Sequence, residues 1–434
     1  MFKYILRRIF FMIVTMLIVS VAVFVLIESS PGNMAKNFLG PYITLEQEKA
    51  FLAKMGLDKP LYVRYLYWLV GNDFTAESKI GMPLKKIITK KGFREWWVVG
   101  EKGNLLRWEL KDGELYAFEK QPDGSIIKYV DNERYNKPNL DGTSFFWGVN
   151  RQNRAVRWEK GGTKKTIQYI LKINTWKEVI GGPIEFIPLK KGILRGDPGL
   201  SLQTSRPVFD TLWTRVRNSA VFAGIGFFLI MPMALLLGVI AALKEGSLRD
   251  RTLSLGGIFF AVTPEFISGI FLIMVFGIWL RWVPAVTVFG EDAPWERLDM
   301  LVLPVITLTL TTLGYVLRIT RASMVEVMKS QYIRTAFLKG LPYWQVIFKH
   351  ALRNALIAPI TVIMMHLSWL LGGLVVIEVV FGYPGLGKYL LDCAITKDYN
   401  ALETATMVMV GVAVTTQLIA DILYTLVNPG IRYK

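Results

Sequence analysis

Residues 9–27, 219–243 and 301–317 contain no Asp, Glu, Lys or Arg. Residues 254–280, 355–381 and 405–426 hold one charge each: Glu265, Glu378 and Asp421. A helix crosses the hydrocarbon core of a bilayer with roughly 20 mainly apolar residues. All six stretches meet or approach that length; the shortest, 301–317, is extended backwards by Leu298 and Met300. The chain is 52% hydrophobic yet carries a net charge of +17 over 434 residues. Those two properties coexist only by segregation along the sequence. The expected fold class is an all-α polytopic membrane protein with six transmembrane helices.

The first stretch needs separating from a secretory signal. It follows Lys3, Arg7 and Arg8, but it is longer than the usual signal core and no A-x-A site follows it. It reads as an uncleaved helix. Basic residues favour the cytoplasmic side, counted over short loops near helix ends. With the N-terminus inside, the inside segments carry fifteen Lys and Arg, while the short outside loops carry Arg281, Arg297, Lys388 and Lys397. Both termini are therefore expected in the cytoplasm, and the long segment 28–218 outside. One cysteine, Cys393, excludes an intrachain disulfide. The two histidines, His350 and His366, fit no zinc pattern, and no phosphate-binding loop is present. No metal or cofactor on this chain, and no nucleic-acid partner, is expected.

Residues 72–190 have a different character. Six of the thirteen tryptophans are here: Trp96, Trp97, Trp108, Trp147, Trp158 and Trp176. Short strand-like runs flank Asp112-Gly113 and Asp123-Gly124, a strong hairpin signal. The spacing predicts an antiparallel β meander around a small Trp and Tyr core, long enough to fold by itself. It divides the chain into 1–71 (first transmembrane helix and start of the outside loop), 72–190 (inserted extracytoplasmic β-rich domain) and 191–434 (five-helix core). Two readings compete for the insert: an addition tolerated in a loop, and a docking surface for a substrate-carrying partner.

Residues 330–359, SQYIRTAFLKGLPYWQVIFKHALRNALIAP, form a basic, partly apolar stretch between two apolar segments. Residues 332–339 have helix-forming composition, and Gly340-Leu341-Pro342 is a stop signal. A second helix is expected from Pro342 or Tyr343. Ile333, Ala336, Phe337 and Leu341 are candidates for one apolar face that enters a partner's groove, with Arg334 and Lys339 at its rim. A basic loop lying beside anionic lipid would satisfy the charge alone.

Six stretches resemble the B-type permease subunit of dipeptide/oligopeptide and nickel ABC importers. Residues 3–33, KYILRRIFFMIVTMLIVSVAVFVLIESSPGN, are similar to that family's first helix. GLDKPLYVRYLYWL (56–69) and GDPGLSLQTSRP (196–207) resemble two halves of its first outside loop, here split by the insert. YIRTAFLKGLPYWQVIFKHALRN (332–354) resembles its version of the EAA loop; VFGYPGLGKYLLDCAITKDY (380–399) and DILYTLVNPGIRY (421–433) resemble its last outside loop and C-terminus. Arg334-Thr335-Ala336 stands where the general pattern has Glu-Ala-Ala, Pro359 arrives one residue late, and the insert is not a usual family feature.

The resemblance implies a non-catalytic permease subunit of an ATP-driven importer, most readily for short peptides, with oligosaccharide or nickel as alternative cargoes. It implies a similar second permease subunit, two ATPase subunits holding ATP-Mg, an extracytoplasmic solute-binding protein, and a bacterial or archaeal plasma (inner) membrane with its lipids. Loop 318–354 becomes the coupling loop, with Ile333, Arg334, Ala336, Phe337, Lys339, Gly340 and Leu341 as its contacts. His366, Glu378 and Gln417 are candidates to line the translocation path, since a polar group at membrane depth is a functional hypothesis by default. Glu265, Glu378 and Asp421 also lie near helix ends where water is close, and Pro232, Pro264 and Pro304 read as kinks. The rival from another class is a membrane-anchored sensor. It predicts one or two helices and a cytoplasmic output domain, which six apolar stretches disfavour.

Overall fold

The structure is a computed structural model. It describes residues 2–29, 34–40, 42–89, 92–161, 165–170, 175–180, 183–204, 206–289 and 294–427. Side chains are described for these except at 2–5, 34, 37–38, 54, 165–170, 175–180, 183–186, 365–373 and 424–427. Two compact units emerge: Met1–Val23 with Asp210–Thr396 and Ala405–Lys434, and Phe24–Phe209 with Lys397–Thr404.

The mixed α/β unit begins at the end of α1 (Phe2–Glu28) and continues through α2 (Met34–Leu39), α3 (Leu45–Met55), α4 (Leu61–Leu69) and α5 (Asp73–Ile80). Helix α3 starts at a capping box: Gln47 N donates to Thr44 Oγ1 at 3.3 Å, and Thr44 N donates to Gln47 Oε1 at 2.8 Å. The ten strands that follow are β1 (Leu84–Ile88), β2 (Arg94–Val99), β3 (Leu105–Lys111), β4 (Glu114–Lys120), β5 (Ile126–Val130), β6 (Ser144–Val149), β7 (Arg154–Lys160), β8 (Lys165–Ile170), β9 (Thr175–Ile180) and β10 (Pro183–Pro188).

Strands β1 to β5 form an antiparallel meander in sequence order. Asp112 (φ 54°) and Gly113 (φ 81°) both take positive φ between β3 and β4, as a primed two-residue turn requires. The remaining strands depart from a single meander. Strand β10 returns to pair with β7, giving the order β10-β7-β6, and β8–β9 is a hairpin of its own. A return of that kind carries no local turn signal, so hairpin spacing does not reveal it.

Inward residues of both larger sheets, with Ala76 and Ile80 of α5, make one core around Trp96, Trp108, Phe146 and Trp158. Trp108 packs edge-on to Phe146 at 5.0 Å, and its Nε1 donates to Asp131 Oδ2 at 2.8 Å, so the buried indole keeps a polar partner. Asn153, at φ 60°, accepts from Trp96 N at 3.0 Å and donates to Arg94 O at 3.0 Å. Arg107 donates to Trp96 O and to Asn153 Oδ1, and burial lowers its pKa to about 10. At the sheet edge, all five residues of β5 are exposed.

The segment leaves and returns at one point. Asn72 N donates to Lys190 O at 3.1 Å, and Lys190 N donates to Asn72 Oδ1 at 3.0 Å. Gly71 (φ 101°) and Gly192 (φ 82°) lie backbone to backbone there, where any Cβ would strike the facing chain.

The helical unit contains α6 (Val208–Leu243), α7 (Leu248–Val262), α8 (Glu265–Leu272), α9 (Val302–Met328), α10 (Gln331–Leu338), α11 (Tyr343–Gln345), α12 (Leu352–Ala355), α13 (Ile357–Val380), α14 (Leu386–Thr396) and most of α15 (Tyr399–Val427). Among the described residues, four helices are long and apolar enough to cross a membrane, or up to six if each of two bent pairs is one span. The expected single helix over 254–280 is one such pair, broken by 105°. The cause is local: Pro264 lacks an N–H and pushes Thr263 into extended geometry (ψ 126°), so α7 ends and α8 restarts. Pro232 stays inside α6, and Pro304 occupies the first turn of α9, where proline is tolerated. Phe222, Leu308, Ile377 and Tyr383 belong to the core that α6, α8, α9 and α13 share.

Candidate functional site

Helix α10 ends at Leu338 with Lys339 as its cap, Gly340 takes φ 75°, and α11 starts after Pro342. The stop signal in the sequence thus makes a tight helical hairpin. Its inner face is Ile333 and Ala336, three residues apart and therefore on one side of the helix. Both pack into a cluster with Met324 of α9, with Val346, Ile347 and Ala351 of the π-turn that continues α11, and with Ala355 of α12. Leu341 packs against the same cluster. Two hydrogen bonds fix the arrangement: Ser323 Oγ donates to Ala355 O at 2.8 Å, and Asn354 Nδ2 donates to the Tyr332 hydroxyl at 2.9 Å. The hairpin is therefore seated firmly on α9 and α12.

This corrects the face read from sequence. Of Ile333, Ala336, Phe337 and Leu341, the first two are buried, Leu341 is half-buried and Phe337 is exposed. Ile333 is fully enclosed by the chain's own helices. The outer face is Phe337, Leu338 (81% exposed), Tyr343, Trp344 (60%) and Phe348 (63%). Phe337 stacks on Tyr343 at 6.2 Å and Trp344 on Phe348 at 5.9 Å. Arg334, Lys339 and Gly340 are exposed beside them. Four of those surface residues, Leu338, Tyr343, Trp344 and Phe348, escaped the sequence reading. For Tyr343, Trp344 and Phe348 the usable signal was that they flank Val346 and Ile347, so a helix cannot bury all five on one side.

Glu378, in the last turn of α13, is 1% exposed. Its Oε2 accepts from Gly387 N at 2.7 Å and Lys388 N at 3.1 Å, at the start of α14, and Ser219 of α6 donates to its Oε1. Ser219 Oγ in turn accepts from Leu386 N at 2.7 Å. The carboxylate thus meets the free amides of a helix N-terminus, where negative charge is favoured. Gly385 is required, because a Cβ there would collide with the carboxylate. Tyr383 OH donates to Asn218 O at 2.7 Å, and Asn218 Nδ2 donates to Pro384 O at 3.0 Å, closing the joint. The expected watery helix end is absent: Glu378 is sealed and fully engaged.

Gln417 is exposed on α15 and donates to Asp421 Oδ1 at 3.1 Å; Asp421 pairs with Arg8 of α1 at 2.6 Å. The structure does not bring Gln417 and Glu378 into contact with each other, and the His366 side chain lies outside the described residues. In the mixed unit, Asp398 caps the start of α15 by accepting from Leu202 N at 3.1 Å and Ala401 N at 3.3 Å, and from Ser201. Burial pushes the Lys190 ammonium down, with Glu403 acting against that shift. Among the described residues, no group of three His, Cys, Asp or Glu is arranged to hold a metal.

Two family models match this chain. "Binding-protein-dependent transport system inner membrane component" covers residues 234–433, and "Binding-prot-dependent transport system membrane comp, N-term" covers residues 1–83. The probable peptide ABC transporter permease protein y4tP of Sinorhizobium fredii is 34% identical over 254 residues, 58% of this chain and 80% of that protein. The glutathione transport system permease protein GsiC of Escherichia coli K12 is 37% identical over 252 residues, 56% of this chain and 76% of that protein. Among solved structures, a chain of the inward-facing MetNI methionine ABC transporter aligns at TM-score 0.39 and 18% identity, covering 51% of this chain and 95% of that one. Two family models, one at each end, and relatives more than a third identical over three quarters or more of their own length lead to one conclusion: the chain belongs to the family of binding-protein-dependent transport system inner membrane components.

Proposed function

We propose that this chain is a permease subunit of an ATP-driven importer of di- or oligopeptides, and that the α10–α11 hairpin is where it takes up the work of ATP hydrolysis. One observation carries the second part. An exposed, ring-lined face sits on a hairpin whose opposite face is locked to α9 and α12. A face that only contacted lipid would not need that rigid seat. Push and pull on the rings pass directly into two helices.

The relatives named for peptide and glutathione transport support the cargo class. The charge bias supports cytoplasmic termini, with the hairpin on the same side and residues 72–190 outside. Counting the bent α7–α8 pair as one span, and α13 as another beside the four long helices, supports six crossings. The partners on this reading are a second permease subunit, two ATPase subunits carrying ATP-Mg, and an extracytoplasmic solute-binding protein, in the plasma membrane of a bacterium or archaeon. Residues 72–190 lie almost wholly in the gap between the two matched family segments, which supports their reading as an insert. Their solvent-facing β5 supports a docking role for it.

The test is a Gly340→Trp chain assembled with its partners. Gly340 has open space around it but holds a left-handed φ. The indole adds bulk to the contact face and strain to the turn. Substrate-stimulated ATP hydrolysis is expected to be lost while the chain remains in the membrane. Wild-type stimulation and transport in that variant would refute the coupling role.

A further inference from the structure

Helices α6, α7 and α9 enclose an apolar groove of about 440 Å3. Met233 and Leu237 line it from α6, Leu253 and Phe260 from α7, and Leu310 and Leu313 from α9. Gly256 forms part of its wall, and a Cβ there would meet nothing within 4 Å. No side chain of the described structure fills that space. At 1.5 Å per residue, the lining from Thr252 to Phe260 spans about 12 Å and from Ile306 to Leu317 about 16 Å. The shape is a slot along the helix axes with almost no polar wall, unsuited to an ion or a peptide backbone.

One end of the slot is positively charged. Arg249 precedes Thr252 and Leu253 by three and four residues, on the same face of α7. Lys244 follows Leu237 by two helical turns, just past the end of α6. Both cations are exposed. The acids beside them are already committed. Asp250 is held by the Arg321 guanidinium, at 2.7 Å from Nη2, and Glu245 pairs with Lys329 at 2.9 Å. Lys244 and Arg249 are left as a positive mouth on an apolar slot.

We propose that this groove binds an anionic membrane phospholipid, with one acyl chain lying along Gly256 and the phosphate between Lys244 and Arg249. The inference rests on reading these helices as membrane spans. It goes beyond that reading in specifying a retained lipid and a preference for negative headgroups. A basic pocket at a helix end next to apolar surface is the arrangement that selects such lipids. The other occupant able to cover this face is the second permease subunit, which would not require the positive mouth.

The experiment starts from the assembled complex, extracted in mild detergent from membranes of phosphatidylglycerol and phosphatidylethanolamine, with retained lipid identified by native mass spectrometry. Wild type is expected to keep phosphatidylglycerol. Gly256→Leu and Gly256→Trp, which plug the slot, are expected to lose it while the complex stays monodisperse and in the membrane fraction. Lys244→Gln with Arg249→Gln is expected to keep lipid but lose the preference for phosphatidylglycerol. The proposal is overturned if wild type retains no phospholipid, or if both plugged variants retain as much as wild type. A Gly256→Cys chain that cross-links to the second permease subunit assigns the groove to that subunit and overturns it too. A wild-type chain absent from the membrane fraction overturns the span reading itself.

Discussion

Two short connections in the helical unit share their turn chemistry and differ in nearly everything around it. Gly382 (φ 70°) ends α13, and Gly340 (φ 75°) follows α10. Past Gly382, every amide that α14 leaves free is matched: Leu386 N to Ser219, Gly387 N and Lys388 N to Glu378. Past Gly340, the chain presents Tyr343, Trp344 and Phe348 to the outside with no described residue covering them. A connection that closes on itself is built to hold helices together. One that closes on its inner face alone is built to meet something else. The coupling role proposed for the second turn is the reading that this contrast sharpens.

The contrast breaks first at Glu378. Glu378→Ala strands the buried Gly387 amide, the half-buried Lys388 amide and the Ser219 hydroxyl, at about 1–3 kcal/mol for each buried group. The expected result is the largest loss of stability, read as a lower melting temperature and less chain in the membrane. Glu378→Gln keeps one acceptor and should fall between. A melting temperature unchanged by Glu378→Ala would mean that the joint is not structural.

Phe337→Ala with Trp344→Ala probes the other side. Hot-spot aromatics contribute about 2 kcal/mol or more to binding, so ATPase subunits should co-purify poorly, while melting of the permease alone should hardly move. A melting loss as great as that of Glu378→Ala would erase the distinction between the two turns. The smallest effect is expected from replacing 72–190 with a short Gly/Ser linker. Gly71 and Lys191 already touch, so insertion of the spans should be unchanged in a protease-protection assay. Misinsertion would show that the segment belongs to the permease fold.

Much of this was legible beforehand. The absence of charge over 9–27 or 219–243 leaves a long apolar helix as the economical outcome, and Asp112-Gly113 leaves little but a tight hairpin. Gly340-Leu341-Pro342 likewise stops a helix by backbone chemistry alone. What escaped depends on partners distant in sequence. Nothing near Glu378 announces Ser219, which comes from another helix. Nothing near β10 announces β7. Ile333 and Phe337 are equally apolar in a local window, and only the position of Met324 and Val346 decides which turns inward. The break at Pro264 was visible as a proline, but its size depends on where α8 packs against α9 and α13, which lie farther along the chain.

Strand β5 carries a consequence for anyone handling residues 72–190 apart from the rest. It ends its sheet with Ile126, Ile127, Tyr129 and Val130 all solvent-facing. Natural edge strands usually carry a projecting charge that repels a neighbouring edge. The one charge here, Lys128, lies over the Tyr116 ring at 3.9 Å, so it is turned across its own sheet. No described strand pairs with its outer backbone edge, which is therefore available to a second copy. The excised fragment is therefore an aggregation hazard that grows with concentration, and a second lysine at Ile127 is the obvious guard.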